Sequence, residues 1–357
     1  MLSVDLAFEN FCHAALGDHF EVSYFNIEEA ITIDCGSSRC LHYEFLHSPE
    51  RQLSDSDIIV IWGDFTTSSV YVDDVLKHLV SKLKITETKA IDIYLKGLLL
   101  EECPDSILKK VLIVSSNLLP NAACQMSTRY RETATRLYSQ AAAIIPRDPM
   151  SAAIAQIFRG NPTDVSCGVD AAFFLATQSA TVGSADRIGF SFGRTAGPKS
   201  RLLRKWPVHR FTKALSRAAS LPLYDIGWKS SGGDASLFYE KLEELRRCRL
   251  IVTDTYHCAI NAMREGVPVI CVGEGARHQF TTLGDKKKEF LFHAFMAQGL
   301  YAFSDNPQLI FSTHRVANEY LGNALDDTYA AQIRKNIEIA KSNQIIAFQS
   351  AIRKLVS

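Results

Sequence analysis

The stretch Leu250–Gly275, LIVTDTYHCAINAMREGVPVICVGEG, constrains the fold more than any other part of this chain. It reads as strand, polar turn, helix, strand and loop. Leu250-Ile251-Val252 is a short apolar run suited to a strand buried on both faces. Thr253, Asp254 and Thr255 follow, and each is a residue type that opens helices. Cys258 to Glu265 has helical spacing, and Gly266 with Pro268 just beyond closes it. Val267 to Val272 is a second apolar run, and Gly273-Glu274-Gly275 is its exit. Open parallel sheets bind ligands at the carboxyl ends of their strands. His257 and Glu274 both fall at such ends, as neighbours in one crevice.

The same alternation extends in both directions. Ile58–Trp62, Val111–Ser115, Ala143–Pro146, Asp164–Gly168, Arg187–Phe192 and Leu221–Ile226 read as strands. Val72–Leu83, Arg129–Ala142, Ser151–Phe158, Arg210–Ser220, Ala235–Arg246, Phe290–Gln298 and Asp326–Leu355 read as helices. In the first fifty residues only Phe20–Phe25 and Ala30–Asp34 suggest strands. Strands alternating with helices imply an α/β protein with parallel sheets. The small, polar segment Thr177–Asp186 (TQSATVGSAD) reads as a boundary. The expected domains are 1–178 and 187–325, with a terminal helix in 326–357 packing back on the first.

A chain of 357 residues is comfortable for two cores. The balance of 39 basic against 39 acidic residues predicts no broad nucleic-acid affinity. It leaves room for an anionic small ligand in a locally basic pocket. No run approaches the ~18 apolar residues of a membrane span. The N-terminus lacks a basic segment followed by an apolar core, so a cytoplasmic protein is expected. The nine cysteines are scattered without a CxxC pair, the usage of reduced, mostly buried thiols. No HExxH, Cys/His cluster or GxSxG is present, which supports neither a metal site nor a serine nucleophile.

Several positions carry two readings. Asp148 and Ser151 have the residue types of a helix cap, while Arg147 beside them suits a charge-assisted contact with an anion. Asp170 either caps the following segment or faces the crevice as a carboxylate for proton transfer or sugar hydroxyls. Arg194 lies in a two-glycine loop through which backbone can approach a phosphate. Lys286-Lys287-Lys288 reads as a solvated face, with Arg277 and His278 better placed for the crevice. His257 lies at a strand exit and not on an apolar face, which favours a chemical role.

Three segments, in order, carry a resemblance to the polysaccharide pyruvyl transferase family. Ile144-Ile145-Pro146-Arg147-Asp148 with Ser151 is similar to the family's "vRD..S" element. Val169-Asp170-Ala171-Ala172-Phe173-Phe174-Leu175 is similar to its "pDpaf.L" element. Thr253-Asp254-Thr255-Tyr256-His257-Cys258, continued through Gly266-Val267-Pro268-Val269-Ile270, resembles its "tDsfHg…a…g.Pvi" form. The chain departs from the pattern where Thr255 replaces a frequent arginine, at Gly63-Asp64-Phe65 in place of a glycine-rich loop, and in lacking an Asn-x-Gly-Asp element near its start.

The resemblance implies two Rossmann-like, doubly wound domains facing a cleft, as in GT-B glycosyltransferases. It implies transfer of a pyruvyl group from phosphoenolpyruvate to sugar hydroxyls of a glycan or polysaccharide precursor, without metal or cofactor. His257 takes the place of the motif histidine as acid or base, with Asp170 or Asp254 as the supporting carboxylate. Arg147, the motif arginine, and Arg277 anchor the donor's charge. Arg194, Thr255, Gly273 and Glu274 complete the donor site, and the lysine run offsets the missing arginine. The same fold also accommodates a glycosyltransferase with a nucleotide-sugar donor, or a non-catalytic glycan-binding member.

Overall fold

The computed structural model describes residues 2–35, 40–63, 72–118, 128–160, 165–176, 185–192, 198–228, 235–273, 283–303, 309 and 312–356. The chain forms two compact units, Ser3–Leu175 together with Ala340–Ser357, and Ala176–Ile339. The helix Asp327–Val356 contributes to both, its later half grouping with the first unit.

In the first unit, β1 (Tyr24–Asn26), β2 (Ile31–Asp34) and β3 (Cys40–Phe45) form a small mixed sheet in the order β1-β3-β2. A parallel sheet follows, with β4 (Ile59–Trp62), β5 (Val111–Val114) and β6 (Ala143–Ile145) in sequence order. The β5 sequence VLIV is buried at every position, as a central strand covered on both faces requires. Leu79, Leu95, Leu137 and Tyr138 pack into one core with Val111 and Ile113, each such aliphatic side chain adding about 1.5–3 kcal/mol by leaving water.

The helix Leu2–Leu16 has no clear counterpart in the sequence reading. It is anchored by Phe11, whose ring centroid lies 4.9 Å from Trp62, 4.9 Å from Phe174 and 4.8 Å from Phe348. The Trp62 indole N–H donates to the Val4 carbonyl at 2.8 Å. The helix Glu87–Leu98 and strand β3 are further elements that the residue pattern did not reveal. Of the expected strand 164–168, the described residues 165–168 form one isolated parallel bridge, from Val165 to Ile144.

Gln344, on the terminal helix, is fully buried at the carboxyl edge of this sheet. Its side-chain oxygen accepts from the Val169 N–H at 2.6 Å, and its amide nitrogen donates to Ser115 Oγ at 2.8 Å. Ser115 follows β5 with a positive φ of 58°. Gly168 leaves the space that Gln344 needs, because an added Cβ would stand 2.3 Å from its side-chain oxygen.

The second unit holds β7 (Arg187–Ser191), β8 (Leu223–Asp225), β9 (Cys248–Thr253), β10 (Val269–Gly273) and β11 (Tyr301–Phe303). Their order is β11-β10-β9-β7-β8 and every pairing is parallel. This is the doubly wound order 2-1-3-4-5. The first strand, β7, lies between β8 and the central strand β9, and the strand order reverses between β7 and β9. The helix expected over 290–298 instead runs Leu283–Ala294, with a short 3-10 turn at Gln298–Leu300. It therefore begins early enough to include all three lysines of the 286–288 run. Among the described residues, no helix is long and apolar enough to cross a membrane.

The Gln344 contacts generate a prediction for the first unit. Gln344→Leu keeps the bulk but leaves the Val169 N–H and the Ser115 hydroxyl without that partner. Two buried groups losing their partner should cost about 2–4 kcal/mol, read as a lowered midpoint in urea denaturation. A loss below about 0.5 kcal/mol would show that the terminal helix is not tied in through this side chain.

Candidate functional site

In an open parallel sheet the crevice opens where strand order reverses, outside the carboxyl ends of the two flanking strands. In the second unit those strands are β7 and β9, ending at Ser191 and Thr253. The Ser191 carbonyl accepts Thr253 Oγ1 at 2.8 Å and the Asp254 N–H at 3.3 Å. Thr253 Oγ1 in turn accepts the Thr255 N–H at 3.0 Å. The Thr255 hydroxyl donates to Asp254 Oδ1 at 3.2 Å. Thr253, Asp254 and Thr255 are all buried, so this turn is an interior platform braced by its own hydrogen bonds and those to Ser191.

The helix Tyr256–Arg264 rises from that platform with Thr255 as its N-cap. It starts two residues earlier than the spacing from Cys258 suggested. His257 thus lies in the first helical turn, half-buried, beside N–H groups and a partial positive charge that favour an anion. Its backbone carbonyl accepts from the Asn261 amide at 2.8 Å, and its ring meets Tyr256 edge-on at 5.4 Å. Burial pushes the Cys258 thiol up to about 12, so this neighbour supplies no thiolate at neutral pH.

The lysine run differs most from its reading as a solvated face. Only Lys286 is exposed, paired with Glu289 at 2.7 Å. Lys287 and Lys288 are 1% and 3% exposed. Lys288 Nζ donates to the Asp254 carbonyl at 2.9 Å and approaches the Val272 carbonyl at 3.5 Å. Lys287 Nζ lies 4.7 Å from the centre of the Tyr256 ring, a cation–π geometry. Two cationic side chains therefore come to the carboxyl edge beside Thr255, where the family pattern often has an arginine. The signal was present in the sequence. Lys287 and Lys288 precede Leu291 and Phe292 by one helical turn, and both of these are buried.

Gly273 ends β10 at the same edge. Glu274, Arg277 and His278 lie outside the described residues, as does Arg194. Among the described residues, no cluster of three His, Cys, Asp or Glu side chains is placed to hold a metal.

The first unit carries the other two motif segments, and here the helix-cap readings describe the geometry. Asp148 caps the helix Pro149–Arg159, accepting the Ser151 N–H at 2.8 Å and the Ser151 hydroxyl at 2.8 Å. Asp170 caps the 3-10 turn Ala171–Phe174 through the Ala172 N–H at 3.0 Å. Its other oxygen accepts Arg147 Nη1 at 2.8 Å, with side-chain exposures of 0% for Arg147 and 2% for Asp170. Arg147 Nε also lies 3.7 Å from Asp148. The structure thus brings Arg147, Asp148, Asp170 and Ser151 together as one interior network. The guanidinium expected to anchor a donor donates through Nη1 to Asp170, and the carboxylate expected to support proton transfer is its acceptor.

A buried ion pair costs most when one partner is removed. Arg147→Met should lower stability by about 3–5 kcal/mol, because Asp170 loses its counter-charge in the interior. Adding Asp170→Asn to Arg147→Met should recover much of that loss. Urea denaturation of the single and double variants checks this. A single variant as stable as wild type would return Arg147 to the pool of ligand-facing cations.

Comparison with known proteins supplies the family. The sequence pattern of the polysaccharide pyruvyl transferases matches residues 18–275, well over half of the 357-residue chain. Comparison with curated proteins gave no significant match. Among solved structures, the chain is similar to a Listeria monocytogenes protein provisionally assigned as a UDP-N-acetylglucosamine 2-epimerase. That match has 12% identity and a TM-score of 0.38, covering 72% of this chain and 76% of that one. It is also similar to a mutant of S. aureus TarM in complex with Fondaparinux, alpha-GlcNAc-glycerol and UDP. There the identity is 11% and the TM-score 0.36, covering 74% of this chain and 57% of that one. The matched span includes all three motif segments, from Arg147 through Asp170 to His257 and the glycine that ends β10, and on that match this chain belongs to the polysaccharide pyruvyl transferase family and is a transferase.

Proposed function

We propose that the second unit holds the donor, phosphoenolpyruvate, and that the enzyme passes its pyruvyl group to hydroxyls of a glycan. The observation that carries this reading is the pair of buried lysines, Lys287 and Lys288, brought to the carboxyl edge beside a helix N-terminus and His257. Phosphoenolpyruvate carries a phosphate and a carboxylate, and cations shielded from water attract such charges more strongly than surface ones. A helix N-terminus adds N–H donors for one of the two groups. With Arg147 ion-paired in the first unit, Lys288 takes over the anchoring role and offsets Thr255.

The chemistry follows from the donor's enol. Protonation of its methylene carbon gives an oxocarbenium-like carbon, which a sugar hydroxyl attacks as its proton passes to a base. Attack by a second hydroxyl with departure of inorganic phosphate gives the cyclic ketal, so each diol consumes one phosphoenolpyruvate and releases one phosphate. His257 is the acid or base, being the titratable side chain at the mouth of the platform. Asp254 positions: its side chain holds the Thr255 hydroxyl and its carbonyl holds Lys288. The lysines stabilise the charge that develops on the departing phosphate.

The test is phosphoenolpyruvate-dependent phosphate release with a panel of diol-bearing disaccharides. His257→Gln should lose roughly 10²- to 10⁴-fold in turnover with little change in melting temperature. Lys288→Met should raise the donor KM by about tenfold or more, as loss of a charged contact does. Normal specific activity in His257→Gln, accompanied by a lowered melting temperature, would make the histidine structural. Release driven by a sugar nucleotide in place of phosphoenolpyruvate would overturn the donor.

A further inference from the structure

Gly273 closes β10 without a side chain, and the space one would fill is taken by Tyr301. An added Cβ would stand 1.7 Å from the phenol oxygen and 2.5 Å from Cζ. Tyr301 opens β11 opposite Cys271, so Cys271, Gly273 and Tyr301 share one face of the sheet. The ring therefore leans along the strand, from the level of Cys271 to that of Gly273, toward the carboxyl edge. The helix Leu283–Ala294 reaches the same ring, with the Phe292 centroid 5.7 Å from that of Tyr301. Lys288 precedes Phe292 by one turn and shares its helix face. Its ammonium lies 3.5 Å from the Val272 carbonyl. The phenol and the ammonium thus converge on one short stretch of backbone, Val272–Gly273, at the exit of β10.

We propose that Tyr301 contacts the donor, its phenolic O–H donating to the same oxyanion that Lys288 attracts. This rests on the reading of the second unit as the donor site. It also gives Gly273 a specific reason to be glycine: any larger residue drives the phenol away from the edge. An O–H donor beside an ammonium suits phosphate or carboxylate, whose several lone pairs accept both at once. Phe303 packs edge-on against the ring at 5.2 Å, and phenylalanine would keep that contact and the one with Phe292. Tyr301→Phe therefore tests the hydroxyl alone.

The experiment is titration calorimetry of phosphoenolpyruvate, and separately of inorganic phosphate, into wild type, Tyr301→Phe, Lys288→Met and the double variant. Tyr301→Phe should weaken phosphoenolpyruvate binding by about tenfold or more while the melting temperature stays within about 2 °C, since a hydrogen bond to an ion is lost and packing is kept. The two losses should combine to less than their product, because both groups address one oxyanion. Equal weakening toward inorganic phosphate puts the hydroxyl on the phosphate, and weakening toward phosphoenolpyruvate alone puts it on the carboxylate; either supports the proposal. Gly273→Ala, which displaces the ring with its hydroxyl intact, should weaken binding in parallel. Unchanged affinity in Tyr301→Phe beside a weakened Lys288→Met overturns the role of Tyr301 and leaves the donor reading standing. A wild-type protein that binds no phosphoenolpyruvate overturns both.

Discussion

The second unit depends on the reversal of strand order between β7 and β9. The strands that follow β7 and β9 lie on opposite sides of that pair, so their exits part and leave backbone groups facing outward. The Ser191 carbonyl resolves this by accepting both the Thr253 hydroxyl and the Asp254 N–H. That single acceptor joins the two strand exits and sets the start of the helix that carries His257. Everything chemical in this unit is positioned from there: the buried Thr253–Thr255 turn, the helix N-terminus above it, and the Asp254 carbonyl that receives Lys288.

Charge is distributed between the units according to partner and not residue type. In the first unit a guanidinium and two carboxylates sit in the interior, and the geometry turns them on each other, Arg147 to Asp170 and Asp148 to its own helix. The same unit closes its carboxyl edge with Gln344, which ties Val169 to Ser115. In the second unit the Arg264 side chain is likewise buried and paired with Glu265, whereas Lys287 and Lys288 are set against backbone carbonyls and an aromatic face. Carbonyl dipoles and a ring quadrupole hold a cation in place without cancelling its charge. A lysine held in this way keeps its attraction for an anion, whereas the charge of Arg147 is offset by the Asp170 carboxylate.

The sequence made much of the second unit legible because its strands are continuous apolar runs punctuated by glycine and proline. Leu250–Val252 and Val267–Val272 lie within or beside β9 and β10, and the polar turn after the first opens the helix that carries His257. The misread parts share a physical cause, which is that their role is tertiary. Three consecutive lysines have the composition of a solvated face, and only the helix beginning at Leu283 turns two of them inward. Arg147 and Asp170 lie far apart in sequence, and their ion pair follows from packing and not from spacing. Strand β11 is three residues long and too short to show a period. Gln344 is one polar residue within a long helix, with no local sign that it is buried. The family motifs fall on strand exits and helix starts in both units, and the geometry shows which of their side chains are paired with each other.

The most direct measurement is a crystal structure of the protein soaked with phosphoenolpyruvate. The account predicts density for its phosphate and carboxylate outside the carboxyl ends of β7, β9 and β10, within hydrogen-bonding reach of Lys288 and of the first turn of the His257 helix. Density at Arg147 instead, with its pair to Asp170 broken, would contradict the account and return the donor to the first unit.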